Sequence, residues 1–154
     1  MGPPSGHARG VEGLLSYGFL IELHRRMFAE VWRWAGTLRR RVTNVGVEPA
    51  QIATQTASAL ADARFWHKEA VFDTDELAAR IHGRLVAVHP FPNGNGRSTR
   101  LMADLYLVAV DAPVFSWGHS RLDEEDAGRA AYISSLVAAV ETDDYTELVR
   151  FARG

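Results

Sequence analysis

The chain contains no cysteine. Disulfides, thiolate catalysis and cysteine-ligated zinc are thereby excluded. No apolar run approaches the length that crosses a bilayer, so no membrane partner is expected. The start, Met1-Gly2-Pro3-Pro4-Ser5-Gly6, lacks the apolar centre of a signal peptide, which makes a cytoplasmic location the expectation. Charge of one sign is also missing. Seventeen Lys and Arg stand against nineteen Asp and Glu, a net charge of −2, which argues against wholesale binding to nucleic acid. Neither the GxxxxGK[ST] phosphate loop nor an HExxH zinc helix occurs. What is there is the balance of a globular domain: 47% hydrophobic and 23% charged residues in 154. That is one domain, long enough to bury a core without staples.

Residues 1–10, rich in Gly and Pro, read as a flexible lead-in, and 11–154 as a single domain. From Leu14 to Trp34 apolar residues recur at spacings of three and four (Leu20, Leu23, Met27, Val31, Trp34), predicting one helix that ends at Ala35-Gly36. Thr37 to Val47 mixes strand formers with Arg39, Arg40, Arg41, Asn44 and Gly46, predicting a small β-hairpin or extended flap. Glu48-Pro49 opens a helix running to Trp66. Phe72 to Asp75 supplies capping residues for the next, whose Leu77, Ile81, Leu85 and Val88 make one buried stripe. His89 to Asn95 is a loop, Gly96 to Val110 another helix, and two final helices are expected within 122–151. The expected class is all-α with one small β excursion.

The segment with chemical content is His89-Pro-Phe-Pro-Asn93-Gly94-Asn95-Gly96-Arg97-Ser-Thr-Arg100. It ends at a helix N-terminus, where unbonded backbone N–H groups and the helix dipole favour an anion. Gly94 and Gly96 allow the backbone close to a ligand, and successive N–H groups can nest phosphate oxygens. Arg97 and Arg100, one turn apart, present two guanidinium forks suited to a polyphosphate. His89, across the loop, has an ordinary pKa suited to a general base for a hydroxyl. Base, anion cradle and paired arginines point to transfer of a phosphate-containing group. An isolated Gly-Asn-Gly is usually only a turn; the combination is what carries weight.

The pattern H-x-F-x-x-G-N-G-R-x-x-R resembles the signature of the Fic (Fic/Doc) family. Trp34-Ala35-Gly36, the flap and the helices leading to the motif extend the resemblance over roughly residues 24–110. The chain is similar to the small, toxin-like branch, often encoded beside a regulatory partner. The resemblance implies a helical Fic domain with a hairpin flap that transfers AMP from ATP to a Ser, Thr or Tyr hydroxyl of a target protein, releasing pyrophosphate. It implies that His89 is the base and Phe91 the apolar anchor of the loop. Gly94, Asn95 and Gly96 would form the anion hole. Arg97 would bind the distal phosphates and Arg100 the γ-phosphate or an inhibitory glutamate. The flap, at Val45, Gly46 and Val47, would dock the target segment by β-augmentation.

Asn93 departs from the pattern, standing where the family carries the Asp or Glu that holds Mg²⁺. An amide oxygen can ligate a hard cation but brings no charge. This weakens the expected Mg²⁺ site. It leaves room for a different transferred group (phosphate, phosphocholine or UMP) or for a silent nucleotide- or protein-binding module. Glu12-Gly13 fits the end of the inhibitory (S/T)xxxE(G/N) pattern, although Ala8 stands where Ser or Thr is expected. The implied role is that Glu12 reaches Arg100. The alternative is an antitoxin-like partner bringing the glutamate. A homo-oligomer is compatible with the sequence. Arg39 to Arg41 read as a solvated or rim-forming run, Asp104 as a surface partner of Arg100, and Trp32, Trp34, Phe65 and Trp66 as core.

Overall fold

The computed structural model describes residues 6–118 and 125–154, with side chains from residue 10 and again from residue 127. Seven α-helices are present among them: α1 Gly6–Leu14, α2 Tyr17–Phe28, α3 Ile52–Lys68, α4 Thr74–Val88, α5 Asn95–Ala109, α6 Glu125–Thr142 and α7 Thr146–Arg153. A 3₁₀ turn, Pro49–Gln51, leads into α3. Residues 1–5 of the expected lead-in lie outside the described residues. Its remainder is helical, interrupted at Gly10, whose φ of 62° suits glycine.

The antiparallel pair α4 and α5 forms the centre. Asp73 caps α4 by accepting the Glu76 N–H at 2.8 Å, and Asp75 and Glu76 lie in its first turn, where negative charge meets the helix dipole. The expected stripe is buried as read: Leu77, Ile81, Leu85 and Val88 all lie in the core. They join Leu15, Leu20, Leu60, Phe91, Met102 and Leu107, so α1, α2 and α3 close over the pair. On the other side α7 and α6 pack through Leu148, Tyr145 and Ala139 against Ala79. Gly83 admits the Tyr145 ring here. A Cβ at that position would lie 2.7 Å from the ring.

Three expectations are corrected. The single helix over Leu14–Trp34 is two, α1 and α2, because Ser16 takes the Phe19 N–H at 3.2 Å and donates to Gly13 O at 2.8 Å. A capping serine thus starts a new helix inside an unbroken apolar period. The β-hairpin flap is absent among the described residues. Residues 37–48 contain no strand, bend at 41 and 44–46, and do not pair with one another. Their backbone bonds instead cross to the end of α4, with Arg39 N–H to Pro90 O at 2.9 Å and Val47 N–H to Val88 O at 3.2 Å. The side chain of Arg39 bonds to the carbonyls of Arg41 and Val47 in the same segment. Finally, Phe65 is 57% exposed rather than core, and Trp32 and Trp34 are only half-buried. No described helix is long and apolar enough to cross a membrane.

Candidate functional site

The motif loop joins the C-terminus of α4 to the N-terminus of α5. His89 ends α4 in the left-handed conformation (φ 56°, ψ 63°), the position where glycine is usual. Its imidazole is half-buried. Burial, with the Arg39 guanidinium adding to it, holds its pKa below the ordinary histidine value, so the neutral form dominates at pH 7.

The loop that follows is pinned from inside. Phe91 is fully buried, its ring stacked on His24 with centroids 3.7 Å apart. The Asn95 side chain brackets it, accepting the Phe91 N–H and donating to Phe91 O, both at 2.8 Å. His24, fully buried in α2, accepts the Gly36 N–H on Nδ1 at 2.9 Å, which leaves its Nε2–H to donate to Asn93 O at 2.9 Å. Gly94 caps α5 with φ 78°, and a Cβ there would lie 2.6 Å from the Phe28 ring. The buried Asn95 amide is thus committed to the loop, which leaves only its backbone N–H at the open helix end. The N–H groups of Asn95, Gly96 and Arg97 have no protein acceptor among the described residues and open the N-terminus of α5.

The two arginines stand at this opening with different supports. Arg97 is exposed, its guanidinium 4.7 Å above the Phe28 ring and 5.6 Å from that of Trp32. Arg100 folds back over Gly96, where an added Cβ would meet its Nη1 at 3.1 Å. It donates to Tyr132 Oη at 3.1 Å. Tyr132 Oη lies 2.6 Å from His82 Nε2, His82 Nδ1 lies 2.9 Å from Thr99 Oγ1, and Thr99 donates to Asn95 O at 2.7 Å. With the threonine proton committed to that carbonyl, His82 donates from Nδ1 and accepts the tyrosine proton on Nε2. Arg100 thus ends an uninterrupted hydrogen-bond chain back to the first turn of its own helix. Tyr132 is a site residue that sequence reasoning missed; no local pattern links it to Arg100, 32 residues away.

His82 is fully buried, and burial, with the Arg100 charge nearby, pushes its pKa down to about 3 from the ordinary 6.5. Between those values an unfolded chain binds a proton that the folded one does not, so stability falls as pH drops through that window. The expected loss is about 1.4 kcal/mol per pH unit from this one group. Urea unfolding of the wild type and of His82→Gln at pH 6.5 and 5.5, above the carboxylate range, separates it from His24 and His89, which are also held low. A flat profile would contradict a neutral buried His82.

Other sequence-predicted residues fall elsewhere. Glu12 lines a hollow with Arg64, His67 and Lys68 of α3, and no ion pair joins it to Arg100 among the described residues. Asp104 accepts the Trp117 indole N–H at 3.1 Å rather than pairing with Arg100. Val45 is exposed, and Gly46 lies against His89, its φ of 103° and a 2.6 Å approach to the His89 Cβ admitting no side chain. Val47 is bonded to the end of α4. No cluster of three or more His, Cys, Asp or Glu suited to a metal exists among the described residues. Asn93 Oδ1 already accepts the Gly94 N–H at 2.7 Å. One neutral oxygen does not make a resident Mg²⁺ site.

A family model described as Fic/DOC family matches residues 14–107. The protein adenylyltransferase fic-1 of Caenorhabditis briggsae is 34% identical over 107 residues, and that of Caenorhabditis elegans 33% over 107. Each alignment covers 64% of this chain and 20% of the relative, so the chain matches about a fifth of those proteins' length. The solved structure of Fic-1 from C. elegans superposes with a TM-score of 0.69 at 29% identity, covering 91% of this chain and 42% of that one. The BepC protein from Bartonella tribocorum, solved with bound AMPPNP, shares the fold, with a TM-score of 0.68 at 17% identity over 90% of this chain and 73% of that one. With the motif, the helical scaffold and the family model in agreement, this chain belongs to the Fic/DOC family.

Proposed function

We propose that this chain transfers AMP from ATP to a Ser, Thr or Tyr hydroxyl of a target protein. The observation that carries the reading is the pairing of a neutral, half-buried His89 at one end of the motif loop with an open helix N-terminus and two arginines at the other. Relatives named protein adenylyltransferase support it.

The geometry suggests the chemistry. The target hydroxyl donates to His89, which takes its proton as the oxygen attacks the α-phosphorus. The bond from that phosphorus to the bridging oxygen of the β-phosphate breaks, and pyrophosphate leaves. The N–H groups at the start of α5 receive phosphate oxygens, and Arg97 and Arg100 receive the charge that moves to the leaving group. Tyr132 holds Arg100 without neutralising it. The docking edge in this reading is segment 45–47, beside His89. Regulation, with Glu12 seated over α3, falls to a partner that brings a carboxylate to Arg100.

Label decides the group. ATP labelled on the α-phosphate, incubated with a cell lysate and either the protein or His89→Ala, should mark a His89-dependent band, and γ-labelled ATP should give no band that depends on His89. Marking by the γ-label alone would replace adenylyl transfer with phosphate transfer.

Asn93 favours a second reading, a nucleotide-binding module that transfers nothing. Because the donor set does not hold its own cation, Mg²⁺ would come with the nucleotide. Asn93→Asp adds a charge beside that position and should lower the Mg²⁺ concentration for half-maximal ATP binding about tenfold. An unchanged Mg²⁺ dependence would place Asn93 away from the metal.

A further inference from the structure

Arg39 is the first of three consecutive arginines, yet it is 4% exposed. Arg40 and Arg41 are exposed. None of the ion pairs among the described residues involves Arg39. Its guanidinium is met by carbonyls instead. Nε donates to His89 O at 2.5 Å, Nη1 to Arg41 O at 3.0 Å, and Nη2 to Val88 O at 3.2 Å and to Val47 O. Val88 and His89 are the last carbonyls of α4, the negative end of that helix, which leaves them without partners inside it. Arg39 therefore acts as a remote cap for α4 while tying down both arms of the extended segment. Gly46 completes the fit, because a Cβ there would lie 2.5 Å from Arg39 Nη2 and 2.6 Å from the His89 Cβ.

We propose that Arg39 is a positioning residue that holds His89 and the target-docking segment 45–47 as one rigid unit. The inference rests on the reading of His89 as the base. A hydroxyl presented by a peptide on segment 45–47 reaches the imidazole only if the two keep a fixed separation, and displacements of an ångström are costly in such transfers. The planar fork reaches four carbonyls on three chain segments at once. A lysine ammonium, a compact point donor, cannot span them. Burial and, after it, the Arg39 guanidinium both favour the neutral imidazole of His89.

Two variants separate geometry from charge. In Arg39→Lys the charge stays and the fork is lost. In Arg39→Gln both are lost. Amide hydrogen exchange at residue 39 and Val47, the segment amides bonded to Pro90 O and Val88 O, should rise at least tenfold in both, with α5 from Ser98 onward protected as in the wild type. The His89 ring, titrated by NMR, should have a midpoint that rises in both variants as the packed segment loosens, and rises further in the glutamine variant, which also loses the charge. Transfer of α-label to lysate protein should fall at least tenfold in the lysine variant, with ATP affinity within twofold of wild type. Folding is checked by circular dichroism. If Arg39→Gln does not fold, the lysine variant alone decides. A folded Arg39→Lys protein with wild-type exchange at residue 39 and Val47 and wild-type transfer would overturn the proposal. Should the wild type itself transfer nothing, the functional reading fails, while exchange and titration still judge the role of Arg39.

Discussion

Replacing His89 by Ala is expected to lower transfer by about 10²–10⁴-fold, the usual contribution of a positioned general base, and to leave ATP affinity nearly unchanged. The phosphate-facing groups belong to α5 and its loop, and none depends on the imidazole. Two features make the imidazole fit for the role at neutral pH. Burial and the Arg39 charge keep it unprotonated. The left-handed backbone at φ 56° turns it out of α4 and against Gly46. An alanine at that φ is strained by roughly 1–2 kcal/mol, which would blur the comparison. His89→Asn tolerates the conformation and should be equally inactive. Loss of ATP binding in both variants would mean that His89 builds the nucleotide site rather than serving the hydroxyl. The acid limb of the pH–rate profile should fall below the ordinary histidine value, since the folded group resists protonation.

The largest expected loss of stability comes from Phe91→Ala. The ring is fully buried and stacks on His24 at 3.7 Å in the core beside Leu85 and Met102. Deleting it removes the transfer free energy of the side chain and leaves a cavity that rigid helices cannot close, about 3–5 kcal/mol in all. Against a total near 5–15 kcal/mol that is a drop of roughly 10 °C in melting temperature. The loop would lose its anchor as well, since the Asn95 bracket grips the Phe91 backbone. Phe91→Leu, nearer in volume, should cost only about 1–1.5 kcal/mol. Urea titration of the two variants compares them. A cost below about 1 kcal/mol for the alanine variant would show that the loop is held by its hydrogen bonds alone.

Much of this was legible in the sequence where local rules govern. The buried stripe of α4 and its Asp73 cap follow from periodicity and capping, and α5 begins at Asn95, one residue before the expected Gly96. The glycines and arginines of the motif also marked the place where α5 opens with unbonded N–H groups beside Arg97 and Arg100. Long-range contacts were not legible. Arg39 looks like its exposed neighbours, and only the unsatisfied carbonyls of α4, 49 residues on, explain why it is buried. The same pull explains the missing hairpin: the segment's donors had better acceptors at the helix end than across a turn. Tyr132 and His82 are ordinary helix residues until α6 packs over α4, when they become the support of Arg100. Ser16 shows the opposite failure, a local signal hidden by an apolar rhythm that continued through it.

The central claim is that His89 removes the proton from a protein hydroxyl that then receives AMP. Intact-mass spectrometry of proteins incubated with ATP and Mg²⁺, using the wild-type chain and His89→Ala in parallel, tests it most directly. An adduct with the mass of AMP less water is expected in the wild-type reaction and none with the variant. An adduct of that mass appearing equally with His89→Ala, or a phosphate-sized adduct in its place, would contradict it.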